Sequence, residues 1–541
     1  MSSSRRSFLV KAGIASAGAL LPRSRVWAAP AFREPASPQA PPPAAQSLAL
    51  LAASRLLADE ALAVRAVEVA QKAGASYADA RLVLWRRENI SVRDDHIAGV
   101  GASDEYGIGV RVLVEGAWGF AASPTLDRRS VDRLAKSAVA MARRNAKLRR
   151  TPIELAPVPV VKGTWVAPFE IDPFTVPLQE KADMLLRAAN AALQVPGISH
   201  VNASSLAVRE EKLLVTSDGS RTHQVFFRVM PGLSASAVDV RRARFATRNH
   251  EVAPMLAGWE HVRGAHFVEE APRIAHEALQ KLHAATVEPG LKTVILAPSN
   301  LWLTIHESIG HSTELDRALG MEANFAGTSF IKPETTGDLR IGTPQVSFFA
   351  DRTQAGGLAT TAWDDEAVAA GRWPIVQDGI LVGWQTTREL ASAIGEQASR
   401  GCSYGDSYAS IAFQRMPNIS LQPGKEGYTT EDLINATDDG ILVTGRGSWS
   451  IDQQRYNFQF GGQTFWEIKN GRLRRPLRDV AYQSNTIEFW SSCDMIGGPG
   501  TYRLGGSFSD GKGEPHQSNA VSHGCPPARF KANVLNTGGS K

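Results

Sequence analysis

Apolar positions recur with helical spacing in several segments of the first half of the chain. The spacing predicts helices at about residues 58–72, 125–144, 178–193 and 267–283. Between the first two helices, apolar and polar side chains alternate over residues 77–122 in strand-like runs, which include 80–85 and 107–114. Residues 216–221, Thr-Ser-Asp-Gly-Ser-Arg, are typical of a hairpin turn. The repeated order of helix, strands and helix predicts two successive α+β regions.

The second half of the chain is rich in short apolar runs that follow glycines. These runs predict strands at 291–297, 379–384 and 440–444. Pro298, Ser299 and Asn300 supply turn and N-cap chemistry, and residues 301–305 begin an apolar helix.

Together these patterns predict an α+β protein in which one helix is surrounded by strands in the C-terminal part. We expect an N-terminal α+β domain over 48–150, a middle α+β domain over 151–288 and a strand-rich C-terminal domain over 289–541. Residues 145–174 are rich in proline and lack a clear period, which is typical of a linker.

The helix predicted at 301–305 leads directly into residues 306–311, His-Glu-Ser-Ile-Gly-His. Neutral imidazoles are common zinc ligands, and an adjacent glutamate can accept a proton from water as it attacks a carbonyl. The two histidines are five residues apart, so a regular α-helix would separate them by roughly 140°. Both can face one ion only if the helix has a π-bulge or opens near Gly310. The pattern indicates a metal hydrolase.

Residues 306–316, His-Glu-Ser-Ile-Gly-His-Ser-Thr-Glu-Leu-Asp, resemble the His-Glu-Ala-x-Gly-His-x-x-Glu-x-Asp signature of TldD-type members of the TldD/PmbA family of zinc metallopeptidases. The order of the predicted regions also fits, so the resemblance covers nearly everything after about residue 55. It implies that His306 and His311 bind Zn²⁺ and that Glu307 is the general base. It also implies a C-terminal metallopeptidase domain that is largely a β-barrel or closed sheet beside the motif helix.

The third zinc ligand is the point at which this chain departs from the family. The resemblance calls for a cysteine before a downstream Gly-Lys frame, and this chain has Asp510 before Gly-Lys-Gly. A carboxylate oxygen can complete a catalytic zinc site with two histidines. Cys525, 15 residues further on, is the main alternative, and His516 and His523 also lie nearby. We favour Asp510, although Ser-Asp-Gly is also an ordinary turn sequence. The glycine-rich segment 497–513 is then a metal-site loop and not a phosphate loop.

Three further residues of the motif region have open roles. Glu314 can accept a hydrogen bond from a ligand imidazole or can be an exposed helix carboxylate. Asp316 and Arg317 are expected at a solvated helix end.

The first 28 residues have the three regions of a twin-arginine signal peptide. Arg5 and Arg6 precede a short Ala/Gly-rich apolar core, and Val-Trp-Ala at 26–28 is a small-x-small cleavage site. The core is too short to span a bilayer, so no stable membrane anchor is expected. Residues 29–47, rich in proline and alanine, predict a disordered tether. This leader predicts a bacterial periplasmic or secreted protein.

Charge and cysteine content narrow the function further. The predicted leader contains five basic residues and no acidic one, which accounts for the whole formal charge of +5. Without the leader there is no basic excess and no electrostatic case for nucleic-acid binding. Three widely spaced cysteines do not form a disulfide framework.

The expected function is a zinc metallopeptidase. The resemblance implies flexible or unfolded peptides as substrates, reached inside a chamber between two subunits. The chain would form a homodimer or pair with a PmbA-like paralogue that lacks the motif. Two alternatives stay open: a non-catalytic peptide-binding or scaffold subunit of such a complex, and a metal-dependent amidase.

Overall fold

The computed structural model describes residues 45–149 and 151–538. The predicted signal peptide and nearly all of the predicted tether lie outside these residues. In the first half of the described chain the helices are α1 (Ala45–Ala52), α2 (Arg55–Ala58), α3 (Glu60–Lys72), α4 (Arg128–Ala146), α5 (Leu178–Leu193), α6 (Trp259–Arg263) and α7 (Phe267–His283). The strands are β1 (Tyr77–Arg93), β2 (His96–Val114), β3 (Ala117–Ser123), β4 (Lys162–Val166), β5 (Ile198–Thr216), β6 (Arg221–Asp239), β7 (Arg244–Asn249) and β8 (Met255–Leu256).

The strands of the predicted N-terminal and middle domains pair in one eight-stranded sheet. Its order is β3-β2-β1-β5-β6-β4, and β7 and β8 also pair with β6. Strand β1 joins the two regions, because it pairs antiparallel with β2 on one side and with β5 on the other. The division into two domains stays a prediction.

One face of this sheet is apolar and the other carries buried charges. Along β1, Ala78, Ala80 and Leu82 pack into the core formed with α3 and α4. The alternate residues Asp79 and Arg81 point to the opposite face, as the two-residue period of a strand requires. The polar residues of this alternating pattern are therefore buried as well, on the second face of the sheet.

The charged face of the sheet docks on the C-terminal half through buried ion pairs. Arg81 binds Asp365 at 2.6 Å, Lys212 binds the same carboxylate at 3.0 Å, and Arg111 binds Glu366 at 3.1 Å. Because a buried charge is costly unless it is paired, these contacts fix the position of the docking loop around Asp365.

In the C-terminal half, short strands outnumber helices. The helices are α8 (Pro298–Ile305), α9 (Leu315–Ala318), α10 (Thr430–Asn435) and α11 (Thr486–Ser491). The strands are β9 (Ala285–Thr286), β10 (Gly290–Leu296), β11 (Phe348–Asp351), β12 (Arg372–Gln377), β13 (Ile380–Leu381), β14 (Ser403–Tyr404), β15 (Phe413–Gln414), β16 (Asn418–Leu421), β17 (Asp439–Thr444), β18 (Trp449–Ile451), β19 (Asn457–Gly461), β20 (Thr464–Lys469), β21 (Arg472–Arg478), β22 (Val480–Asn485), β23 (Met495–Ile496), β24 (Arg503–Lys512), β25 (Gln517–Cys525) and β26 (Ala528–Asn536).

The expected closed barrel is wrong. The main sheet has the order β18-β19-β22-β26-β10-β17-β20-β21-β9, with β23 on β26, and its end strands β18 and β9 do not pair with each other in the described chain. The remaining strands form separate small sheets, β13-β12-β11-β16, β14-β15 and β24-β25. The fold is a mixed α+β architecture with open sheets.

Helix α8 is clamped between the open sheet and the β24-β25 hairpin. On the sheet side, the hydroxyl of Tyr482 donates to Asn300 Oδ1 at 2.8 Å and lies 2.9 Å from the hydroxyl of Thr304. On the hairpin side, Gly505 lets the backbone approach the helix, since a Cβ there would meet Trp302 Cδ1 at 2.3 Å. Every residue from Asn300 to Ile305 is buried.

The predicted helices 178–193 and 267–283 coincide with α5 and α7, and the turn at 216–221 connects β5 to β6. The predicted linker is only partly irregular, because it contains β4, which pairs parallel with β6. None of the described helices is long and apolar enough to cross a membrane.

Candidate metal centre

The chain leaves α-helical geometry at the first histidine of the motif. Helix α8 ends at Ile305, and His306–Gly310 form a π-helical turn in which the His311 amide donates to the His306 carbonyl. Of the two geometries expected from the five-residue spacing, a π-bulge or an opening near Gly310, the chain has the π-helical one. Gly310 is required by close packing, since a Cβ there would meet Met416 Sδ at 2.6 Å.

Side-chain hydroxyl groups stabilise the π-helical turn. Ser308 donates to the Thr304 carbonyl at 2.5 Å and accepts from Trp490 Nε1 at 3.0 Å. Thr313 donates to the Ile309 carbonyl at 2.8 Å. Such bonds satisfy carbonyls that a regular helix would pair with amides, and they favour local bending.

The turn brings both histidines beside Asp510, which lies on β24. The Nε2 atoms of His306 and His311 lie 3.5 and 3.4 Å from Asp510 Oδ1. One ligand atom from each residue lies within 4.8 Å of the other two, and all three residues are buried. With metal–ligand bonds of about 2.0–2.2 Å, the ligands of a tetrahedral zinc ion are roughly 3.4 Å apart. The observed separations fit that spacing.

A buried charge network fixes His311. Its Nδ1 lies 2.9 Å from Glu314 Oε2, and an ionised carboxylate can only accept, so Nδ1 carries the proton and Nε2 has the lone pair. Arg317 Nε donates to the same oxygen at 2.6 Å, and Lys512 Nζ donates to Glu314 Oε1 at 3.0 Å. Although burial opposes it, Lys512 and Arg317 hold the pKa of Glu314 well below its ordinary value.

Glu314 is fully buried and partners a candidate ligand, in line with the first of its two predicted roles. The expectation of a solvated helix end is wrong for Asp316 and Arg317, which are 5% and 1% exposed. Both form buried ion pairs, Asp316 with Lys512 Nζ at 2.7 Å and Arg317 with Glu314 at 2.6 Å.

The protonation states leave acceptors facing one another. Burial lowers the pKa of His311, and Arg455 and Arg317 lower it further, so the imidazole is neutral near pH 7. The buried guanidinium of Arg415 lies 3.3 Å from Asp510 Oδ2 and favours the ionised carboxylate. An ionised carboxylate therefore faces an imidazole lone pair at 3.4 Å. A cation between them removes this repulsion, so the residues fit a metal ion.

Glu307 directly follows His306 in the π-helical turn and is 5% exposed. Arg455, from the turn between β18 and β19, donates a hydrogen bond through a terminal guanidinium nitrogen to Glu307 Oε2. Arg415 fixes Asp510, because one terminal nitrogen of its guanidinium donates both to the Asp510 carbonyl and to Asp510 Oδ2, the latter at 3.3 Å. Neither arginine was predicted from the sequence, because each is far from the motif and in an unremarkable local pattern.

The alternative third ligands are placed differently. Cys525 Sγ lies 3.8 Å from the carbonyl of Pro298 at the start of α8, and Pro298 precedes His306 by eight residues, or roughly 12 Å of helix rise. His516 is exposed and packs against Phe325 with ring centroids 6.2 Å apart. His523 Nε2 lies 2.8 Å from His306 Nδ1. Asp510 is the residue that the fold brings between the two motif histidines.

The fold and the site define an α+β protein with a buried cluster of two histidines and a carboxylate. Models of the PmbA/TldA metallopeptidases match this chain in three parts, domain 1 over residues 78–142, the central domain over 171–285 and the C-terminal domain over 289–534. The chain belongs to the PmbA/TldD metallopeptidase family. Metallopeptidases are hydrolases that cleave peptide bonds.

Individual relatives agree with this placement. A metalloprotease of Methanothermobacter thermautotrophicus is 27% identical over 458 residues, which cover 84% of this chain and 94% of that protein. A zinc metalloprotease TldD homolog of Saccharolobus solfataricus is 27% identical over 263 residues, 48% of this chain and 54% of that protein. A Thermotoga maritima structure described as a modulator of DNA gyrase has a TM-score of 0.69 at 16% identity and covers 88% of this chain and 100% of that one. The last similarity concerns the fold.

Proposed function

We propose that this protein is a zinc-dependent metallopeptidase that hydrolyses flexible or unfolded peptides. The observation that carries the proposal is the convergence of His306 Nε2, His311 Nε2 and Asp510 Oδ1, with Glu307 next to His306 in the chain. Two nitrogens and one carboxylate are a ligand set of catalytic zinc enzymes that leaves a coordination position open. The name of the Saccharolobus relative supports zinc as the ion.

His306, His311 and Asp510 would hold the ion. Zinc bound there would polarise the scissile carbonyl and make water a better nucleophile. Glu307 accepts the proton from the attacking water and then donates it to the leaving amine. Its Oε2 is engaged by Arg455, so we assign the proton transfer to Oε1.

The test compares Glu307→Gln with loss of a ligand. Glu307→Gln keeps the shape of the side chain but removes the base, so hydrolysis of an unstructured peptide should fall about 10²- to 10⁴-fold while zinc content stays near wild type. His306→Ala and His311→Ala should lose both zinc and activity, since each removes a ligand nitrogen. Undiminished hydrolysis by Glu307→Gln would refute the proposed role of Glu307.

A non-catalytic peptide-binding subunit is the second candidate. The hydrogen bond from Arg455 favours it, because it engages the carboxylate that a peptidase needs as a free base. Under this reading, zinc-loaded wild-type protein binds a fluorescent peptide but does not cleave it. A metal-dependent amidase would cleave simple amides in preference to peptides, so both substrates belong in the same assay.

We further propose that the protein is exported by the twin-arginine route and acts as a dimer, with itself or with a paralogue that lacks the motif. The leader sequence at residues 1–28 supports the export route. Enclosure between subunits would admit extended chains and exclude folded proteins. Fractionation of the native host, with a variant in which Arg5 and Arg6 are replaced by lysine, tests the export route.

A further inference from the structure

His523 on β25 is fully buried and is held on three sides. Its Nδ1 lies 2.8 Å from the Ile419 carbonyl on β16, and its Nε2 lies 2.8 Å from His306 Nδ1. Its ring stacks on Trp302, with an interplanar angle of 7° and centroids 6.4 Å apart. These contacts leave the imidazole little freedom to rotate.

The hydrogen-bond partners determine where the protons are. A carbonyl oxygen can only accept, so His523 Nδ1 carries a proton and donates it to Ile419. With that proton on Nδ1, a neutral imidazole has its lone pair on Nε2, which accepts from His306 Nδ1. His306 Nδ1 is then the donor, and the lone pair of His306 is on Nε2, which faces Asp510 Oδ1 at 3.5 Å.

We propose that His523 is a positioning residue that selects the tautomer and ring orientation of His306, so that Nε2 is directed at the metal. This inference rests on the proposed metal site. His523 accepts from Nδ1 of His306 in the same way that Glu314 accepts from Nδ1 of His311. Partners of this kind fix ligand histidines in metalloproteins and commonly contribute about 10- to 100-fold to metal affinity.

Direct ligation by His523 is the competing assignment. Both of its ring nitrogens are already engaged, Nδ1 with Ile419 and Nε2 with His306. To bind the ion, Nε2 would have to leave His306, whose Nδ1 proton would then be buried without an acceptor. An unsatisfied buried donor is costly, so the geometry favours positioning over ligation.

The test measures zinc affinity by competition with a chromogenic chelator. His523→Phe keeps a stacking ring but removes the acceptor, and it should weaken zinc binding about 10- to 100-fold. His523→Gln can accept from His306 through Oε1 and should recover most of the affinity. His516→Phe, an exposed histidine of the same hairpin, is the matched control and should bind as wild type.

X-ray absorption of the zinc-loaded proteins separates positioning from ligation. The proposal predicts two imidazoles per zinc in wild type and in both His523 variants. A count that falls from three to two in His523→Phe would overturn it, as would unchanged affinity in that variant or equal losses in the Phe and Gln variants. These readouts do not depend on catalysis, so a protein that binds zinc as predicted but cleaves no peptide would refute the proposed function alone.

Discussion

Removal of the Asp510 carboxylate should weaken zinc binding on the order of 100-fold. Its Oδ1 lies 3.5 and 3.4 Å from the two histidine Nε2 atoms, so Asp510→Ala deletes one of three candidate ligands. Four-ligand zinc sites bind with apparent free energies of about 10–16 kcal/mol, or roughly 3 kcal/mol for each ligand. At about 1.4 kcal/mol for each tenfold change, that loss corresponds to about two orders of magnitude.

The buried charge of Arg415, which pairs with Asp510, should increase the loss of zinc affinity in Asp510→Ala. Arg415 has a fully buried side chain and donates to Asp510 Oδ2 at 3.3 Å. In Asp510→Ala this guanidinium stays near the ion without its carboxylate, so it repels the metal. Asp510→Asn keeps an acceptor and should lose less affinity than alanine. Asp510→Cys supplies a thiolate, which zinc binds well, and should retain or tighten binding.

The assay is a zinc titration against a competing chelator, with Cys525→Ala as the matched control. Cys525 is buried at the far end of α8, and burial raises its pKa well above the ordinary value, so its thiol stays protonated. The control should therefore bind zinc as wild type. If Cys525→Ala loses the metal and Asp510→Ala does not, the ligand assignment is wrong.

Two further predictions concern pH and assembly. Burial and Glu366 raise the pKa of Asp364 to about 7, above the ordinary 3.8, so the folded protein binds the extra proton between these values. Relative to Asp364→Asn, the wild type should therefore lose stability as pH rises from 4 to 7. Denaturant titrations in which the free energies of unfolding of the two proteins differ by the same amount at every pH would contradict this prediction. Light scattering on the protein without its leader should show at least a dimer, and a monomer that cleaves peptides at full rate would exclude an enclosed chamber.

The spacing of apolar residues along the chain was sufficient to predict several helices. The helices α5 and α7 have clear helical spacing and lie where the sequence places them. The five-residue spacing of His306 and His311 was sufficient to predict an irregular helix, since regular geometry could not bring them together. The Gly-Lys-Gly frame likewise identified Asp510 as the residue to test.

Features that arise from long-range packing were not predictable in this way. Asp316 and Arg317 have the composition of a solvated helix end, and only the fold shows that Lys512, almost 200 residues away, pairs with Asp316 in the interior. Arg455 reaches Glu307 across a comparable separation. The closed barrel was implied by the resemblance to the family and was wrong. Runs of apolar residues predict strands, but they do not show which strand edges pair.

Anomalous diffraction at the zinc absorption edge, from crystals of the zinc-loaded protein, would locate the bound ion among the candidate ligands. We expect one strong peak bounded by His306 Nε2, His311 Nε2 and Asp510 Oδ1, with His523 outside the coordination shell. No peak at these three atoms, or a zinc ion bound at Cys525, would contradict it.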